Sequence, residues 1–180
     1  MSSLSVYHQT SANLPNKVLT HLEDIASTLA ELGVRFERWQ AAAPLAPDAD
    51  QDELIGAYRT PLDGLMAERG LAHVEVVRMD NRHPQPAELR AERLEEHSYD
   101  EDEVCLFVAG RGLFGLHVDD YLYAVLCEKN DLIVIPAGMK RWFDMGEHPH
   151  FVAIRPFNAP QAAAHFTGDP IASAFPGLDD

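Results

Sequence analysis

Apolar residues recur at helical spacing in the first half of the chain and gather into short, evenly spaced strand-like runs in the second. Leu22, Ile25, Ala26, Leu29 and Leu32 lie three and four residues apart and stop at Gly33, which predicts a helix. Thr20 and Glu23 fit a capping box at its start. A second helix is predicted from Asp50 or Asp52 through Leu54, Ile55 and Tyr58, with a break or fresh start at Thr60-Pro61. Leu62, Leu65 and Met66 continue its apolar face to Gly70. A third is short, at about Pro86–Leu94. Before and between them, residues 4–8, 33–41 and 73–79 read as strands. In the last, Val74, Val76 and Arg78 share one face.

From Val104 onward the pattern is all β. CLFVAGRG turns at Gly110–Gly112 into LFGLHV, and Tyr121–Cys127, LIVIPAG, RWFDM and HFVAIRPF follow. Short strands separated by glycine-bearing turns predict a sandwich or barrel. The expected fold is therefore mainly β with peripheral helices packed outside. Residues 158–180 read as a coil with one helical turn. One domain is the expectation for 180 residues, with 1–95 as an α/β part packed on a barrel formed by 96–157.

Composition narrows the partners. Twenty-nine acidic residues against fourteen Lys and Arg give a formal charge of −15, which argues against nucleic acid and anionic membrane surfaces. Cys105 and Cys127 stand in apolar strands without metal-ribbon spacing, so free thiols in a reducing compartment are expected. MSSLSVYHQTSANL has neither a basic nor an apolar leader segment, and no run approaches membrane-spanning length. The expectation is a cytoplasmic monomer acting on a small molecule.

The chemistry concentrates at EHSYDEDEVCLFVAG, residues 96–110. His97, Glu103 and Gly110 fit the first motif of cupin barrels, G-x5-H-x-H-x3-E-x6-G, but Tyr99 stands at the second histidine. The second motif, G-x5-P-x-G-x2-H-x3-N, falls on NDLIVIPAGMKRWFDM. Pro136 and Gly138 match it, while Asn130, Arg141 and Met145 replace its Gly, His and Asn. Two such motifs in order imply a cupin β-barrel, a double-stranded β-helix or jelly roll. The resemblance then extends to a family: GVRFERWQA, GLHV, LCEKNDLIVIPAG, WFDMG, AIRPF and FTGDPIASAFP are similar to acireductone dioxygenases over nearly the full chain. That resemblance implies O2-dependent cleavage of an enediolate made from 1,2-dihydroxy-3-keto-5-methylthiopentene, with Fe or Ni as cofactor.

The same resemblance implies four metal ligands, of which only His97 and Glu103 are present. A guanidinium cannot deprotonate to coordinate, so Arg141 opposes a divalent ion. Cys105 stands where the family carries an Arg associated with substrate, and Arg93 where it usually carries a Phe. Changes gathered at the pocket predict a rebuilt site with no metal expected, or at most one on His97 and Glu103. The reading favoured by the residues alone is a metal-independent isomerase, cyclase or lyase on a small enolisable carbonyl compound. In it, His97, Tyr99, Glu103 and Arg141 act as acids, bases and anion holder, and Arg93, Cys105, Phe107 and Trp142 bind substrate. Cys105 either fills space or serves as a nucleophile. The alternatives are an acireductone dioxygenase with an altered metal site and a non-catalytic cupin that binds a small acid. His148 and His150 read as rim residues, His117 as a hydrogen-bonded barrel residue, and His83 as a loop residue.

Overall fold

A computed structural model describes residues 2–80, 86–158 and 164–180. Its organising element is β6, Glu103–Val118, a sixteen-residue strand that belongs to two facing sheets. The first half of β6 pairs antiparallel with β8, Asp131–Ile135, and with β10, Phe151–Phe157. Beyond those, β3 (Arg35–Arg38) extends the sheet along β8, and β4 (His73–Met79) along β10. The second half of β6 pairs with β7, Tyr121–Glu128, and with β9, Lys140–Asp144. That second sheet runs β11-β5-β9-β6-β7-β1-β2, with β1 Ser3–His8, β2 Lys17–Leu19, β5 His97–Ser98 and β11 His165–Phe166.

The turn expected at Gly110–Gly112 is instead the bend that lets one strand serve both sheets. Gly110 has φ +72° and lies against the His150 carbonyl, where a Cβ would sit only 1.9 Å from the oxygen. The β10–β6 register also shifts between Val152 and Ala153, the added residue of a bulge that turns the strand. Gly115 lies flat under the Trp142 indole, which a Cβ would approach to 2.2 Å. Glycine here provides close approach and bending, not chain reversal.

Alternation along β6 separates two cores. Cys105 and Phe107 face the space between the sheets, with Phe114, Phe143, Phe151, Met79 and Ala153. Val104, Leu106 and Val108 face outward, under α2 (Gln51–Ala57) and α3 (Arg59–Arg69). Burying each such aromatic or aliphatic side chain contributes roughly 1.5–3 kcal/mol. The expected second helix is thus two, parted at Tyr58, which is buried and donates to Asn130 Oδ1 at 2.6 Å. Pro61 sits in the first turn of α3, where its missing N–H costs nothing. Helix α1, Leu22–Ala30, sends Ile25 and Leu29 into the inter-sheet core, but its N-cap is His21 with no side-chain cap, so the Thr20–Glu23 capping box does not form. Helix α4, Pro86–Leu94, falls where the pattern predicts it, and the C-terminal helical turn is a 3-10 turn at Pro170–Ala174. Among the described residues, no helix is long and apolar enough to cross a membrane.

Candidate active site

Strand alternation carries Glu103 and Cys105 to the inter-sheet side of β6, and Phe151, Ala153 and Arg155 to the same side of β10. With Val77 and Met79 of β4, Leu89 and Arg93 of α4, and Phe114, Phe143 and Met145, they line a cavity. Its wall is apolar, and its charged groups are Arg93, Glu103 and Arg155. Glu103 is the hinge of the arrangement. Its Oε1 accepts from Arg141 Nη1 at 3.0 Å and its Oε2 from Arg155 Nη2 at 3.2 Å. Burial, the largest influence, pushes its pKa up, but Arg155 and Arg141 outweigh that and hold it below the usual 4.5. Glu103 is therefore an ionised, doubly paired carboxylate.

Arg141 is 1% exposed. Besides Glu103, its Nε donates to the Met139 carbonyl at 3.1 Å and its Nη2 to the Pro136 carbonyl at 2.8 Å. Its guanidinium carbon stands 5.3 Å from the Tyr99 ring centroid, a cation–π contact. His97 pairs with Arg141 across β5 and β9, and its ring meets Tyr99 edge-on at 5.1 Å. Its Nδ1–H donates to the Glu95 carbonyl at 2.7 Å, which leaves Nε2 as the ring's acceptor. Burial lowers the His97 pKa and raises that of Tyr99, so both are neutral at pH 7.

The four residues expected to do chemistry are thus together, and Arg93 and Cys105 line the adjoining cavity. Two expected substrate contacts need correction. Trp142 is on the opposite face of β9, packed with Tyr7 and Leu122, because alternation that turns Arg141 and Phe143 inward turns Trp142 out. Phe107 is fully buried behind the cavity, against Phe114, Phe143 and Phe151. Arg155 was the residue the sequence did not single out. Its signal is the spacing Phe151, Ala153, Arg155 on one strand face, hidden because AIRPF reads as scaffold.

The thiol of Cys105 is pushed up to about 12, chiefly by burial, which makes it a poor nucleophile. Iodoacetamide at pH 8 should leave Cys105 unmodified in the folded protein and label it once the chain is unfolded. Mass mapping of the labelled peptide decides this, and native-state alkylation would restore the nucleophile reading. Elsewhere, His117 Nδ1 meets Glu96 Oε2 at 2.6 Å and Thr167 donates to Glu96 Oε1 at 2.8 Å. Glu96, His117 and Asp169 together place three ligand atoms within 4.8 Å of one another. His148 and His150 are exposed and line a separate cleft with Arg111 and Lys129. His83 lies outside the described residues.

Two sheets joined by one shared strand, with a polar cluster leading into a cavity between them, define a cupin barrel. A solved structure, an acireductone dioxygenase from Bacillus anthracis with a cadmium ion in its active center, has the same fold. Its TM-score is 0.78 at 24% identity, over 89% of this chain and 95% of that one. The model of the ARD/ARD' family matches residues 5–164, and the chain belongs to that family. Curated relatives named acireductone dioxygenase are 67% identical in Pseudomonas fluorescens Pf0-1 and 66% in Pseudomonas syringae B728a. Both alignments cover 100% of each chain.

These relatives overturn the expectation of a metal-independent isomerase, cyclase or lyase. Eight dioxygenase-named chains at 62–67% identity end to end indicate the O2-dependent alternative. They equally give no support to the expectation that no cofactor is needed. The residues at the family's metal positions do not, as they stand, fit a divalent ion. His97 Nε2 and Glu103 are the ready donors there, Tyr99 could coordinate only as a phenolate that its burial disfavours, Glu103 has a guanidinium on each oxygen, and Arg141 is a permanent cation.

Proposed function

We propose that the chain is an oxidoreductase of the acireductone dioxygenase kind with an altered metal site, acting on a small enediolate with O2. The observation that carries this reading is the 67% identity that spans both chains completely. The family's Fe or Ni would be the cofactor in that reading, although His97 and Glu103 alone do not make its cradle.

What this chain's own residues contribute follows from the cavity. Arg155 and Arg93 present cationic charge to an anionic oxygen, where a low-dielectric wall strengthens the attraction. Val77, Met79, Phe143 and Phe151 offer an apolar surface for a thioether-bearing tail. Glu103, held ionised, keeps Arg141 and Arg155 in fixed directions, so their charges need no reorganisation when a ligand arrives. The apolar wall by itself disfavours an anion, so the guanidinium charges are what favour the deprotonated, electron-rich form of an enediol, which is the form that reacts with O2.

Anaerobically prepared acireductone, mixed with protein in an oxygen-electrode cell with and without added Fe2+ or Ni2+, tests the proposal. Oxygen uptake above the spontaneous rate, with formate released, is expected. Uptake equal to the protein-free background under all three conditions overturns it.

A further inference from the structure

Asp144 does not line the cavity but sits between two residues that do, Phe143 and Met145. The carboxylate is 1% exposed and accepts four hydrogen bonds. Two come from Arg90 of α4, Nε to Oδ1 at 2.9 Å and Nη2 to Oδ2 at 3.4 Å. A third is from Gly146 N at 2.9 Å and a fourth from Leu178 N at 2.8 Å. Gly177 allows the close approach, since a Cβ there would lie 2.5 Å from Asp144 Oδ2. One side chain thereby joins β9, the turn after it, the chain end at Leu178 and α4. Burial pushes the Asp144 carboxyl up, but Arg90 and the two backbone N–H groups outweigh it and hold it low.

The consequence for the cavity is a matter of helical spacing. Leu89 and Arg93 are four residues apart on α4 and both line the cavity. On the other side of Asp144, its chain neighbours Phe143 and Met145 line the same cavity. Arg90 immediately follows Leu89, so the direction of the Arg90–Asp144 pair sets the rotation of α4 about its axis. Rotation about that axis would swing the Arg93 charge away from Glu103 and Arg155.

We infer that Asp144 is a positioning residue which, through Arg90, holds α4 so that Arg93 presents its charge to an anionic ligand in the cavity. The pair acts on ligand recognition and leaves the pairing of Glu103 with Arg141 and Arg155 untouched. This rests on the cavity being the dioxygenase substrate site, and the test separates the two ideas by including a ligand that is not turned over.

Arg90→Ala, Arg90→Lys and Asp144→Asn are compared with the parent. The readouts are KM and kcat for acireductone, and the dissociation constants of 4-methylthio-2-oxobutanoate and of its uncharged methyl ester. Arg90→Ala and Asp144→Asn should raise KM and weaken the keto acid by about tenfold, the scale of one lost charge-assisted contact. The change in kcat and in methyl-ester binding should stay within about twofold, and Arg90→Lys should recover part of the loss. Should Asp144→Asn not fold, Arg90→Ala, whose side chain is 26% exposed, still decides the matter. Unchanged keto-acid binding in Arg90→Ala, or equal weakening of acid and ester, overturns the inference. If the parent turns over no acireductone but the variants show the charge-selective loss of binding, the dioxygenase reading fails and the positioning role stands.

Discussion

Glu103→Gln should lower the thermal midpoint by about 10 °C, corresponding to about 3–5 kcal/mol. The reason is what remains afterward. Arg141, 1% exposed, would face a neutral amide, and Arg155, at 14% side-chain exposure, would keep only the more distant Glu75 carboxylate at 3.7 Å among the described residues. Removing one partner of a buried pair costs more than the pair is worth, because the stranded charge keeps its desolvation penalty. Urea unfolding of parent and variant at pH 7 measures the loss, and a change below about 1 kcal/mol would show that water or motion relieves the two guanidinium groups.

The pH dependence of that difference has a fixed sign. The folded pKa of Glu103 lies below its ordinary 4.5, so its contribution is complete above about pH 4.5. It is lost as pH falls through the lower folded value. The gap between parent and Glu103→Gln should therefore narrow progressively below pH 4.5.

The second large effect concerns the two positions that depart together from the family's ligand pattern. Tyr99→His with Arg141→His should let the pocket retain about one Ni2+ or Fe2+ per chain after desalting, since four donors would replace two. His97 already presents Nε2, because Nδ1–H is committed to the Glu95 carbonyl. Removing the Arg141 guanidinium frees one oxygen of Glu103 and deletes the opposing charge. Each single change should fall well short of the double one, which elemental analysis resolves. A double variant holding no more metal than the parent would mean that the backbone at His97 and Arg141 no longer has the geometry of a metal cradle.

Arg141 and Tyr99 also show how differently chain and fold reveal a site. That these positions belong together was legible in the sequence, from two spaced motifs and nothing else. That Arg141 ends on Glu103 was not, because the contact joins residues 38 apart on strands β6 and β9. The substitutions by themselves point to a different reaction, which full-length relatives at 62–67% identity contradict.

Local chemistry determined much of the scaffold. Helical spacing placed α1 and the apolar face of α2 and α3, and the alternation of side chains along a strand placed Glu103, Cys105 and Phe107 on one face of β6 and Val104, Leu106 and Val108 on the other. Those are properties of neighbours along the chain, so the sequence carries them directly. The tertiary structure alone decided that Gly110 bends a continuous strand, that Trp142 faces away from the cavity, and that Arg155 shares Glu103 with Arg141. Each of these depends on which strands lie side by side, and strand pairing is set by burial over long sequence separations that no local pattern records.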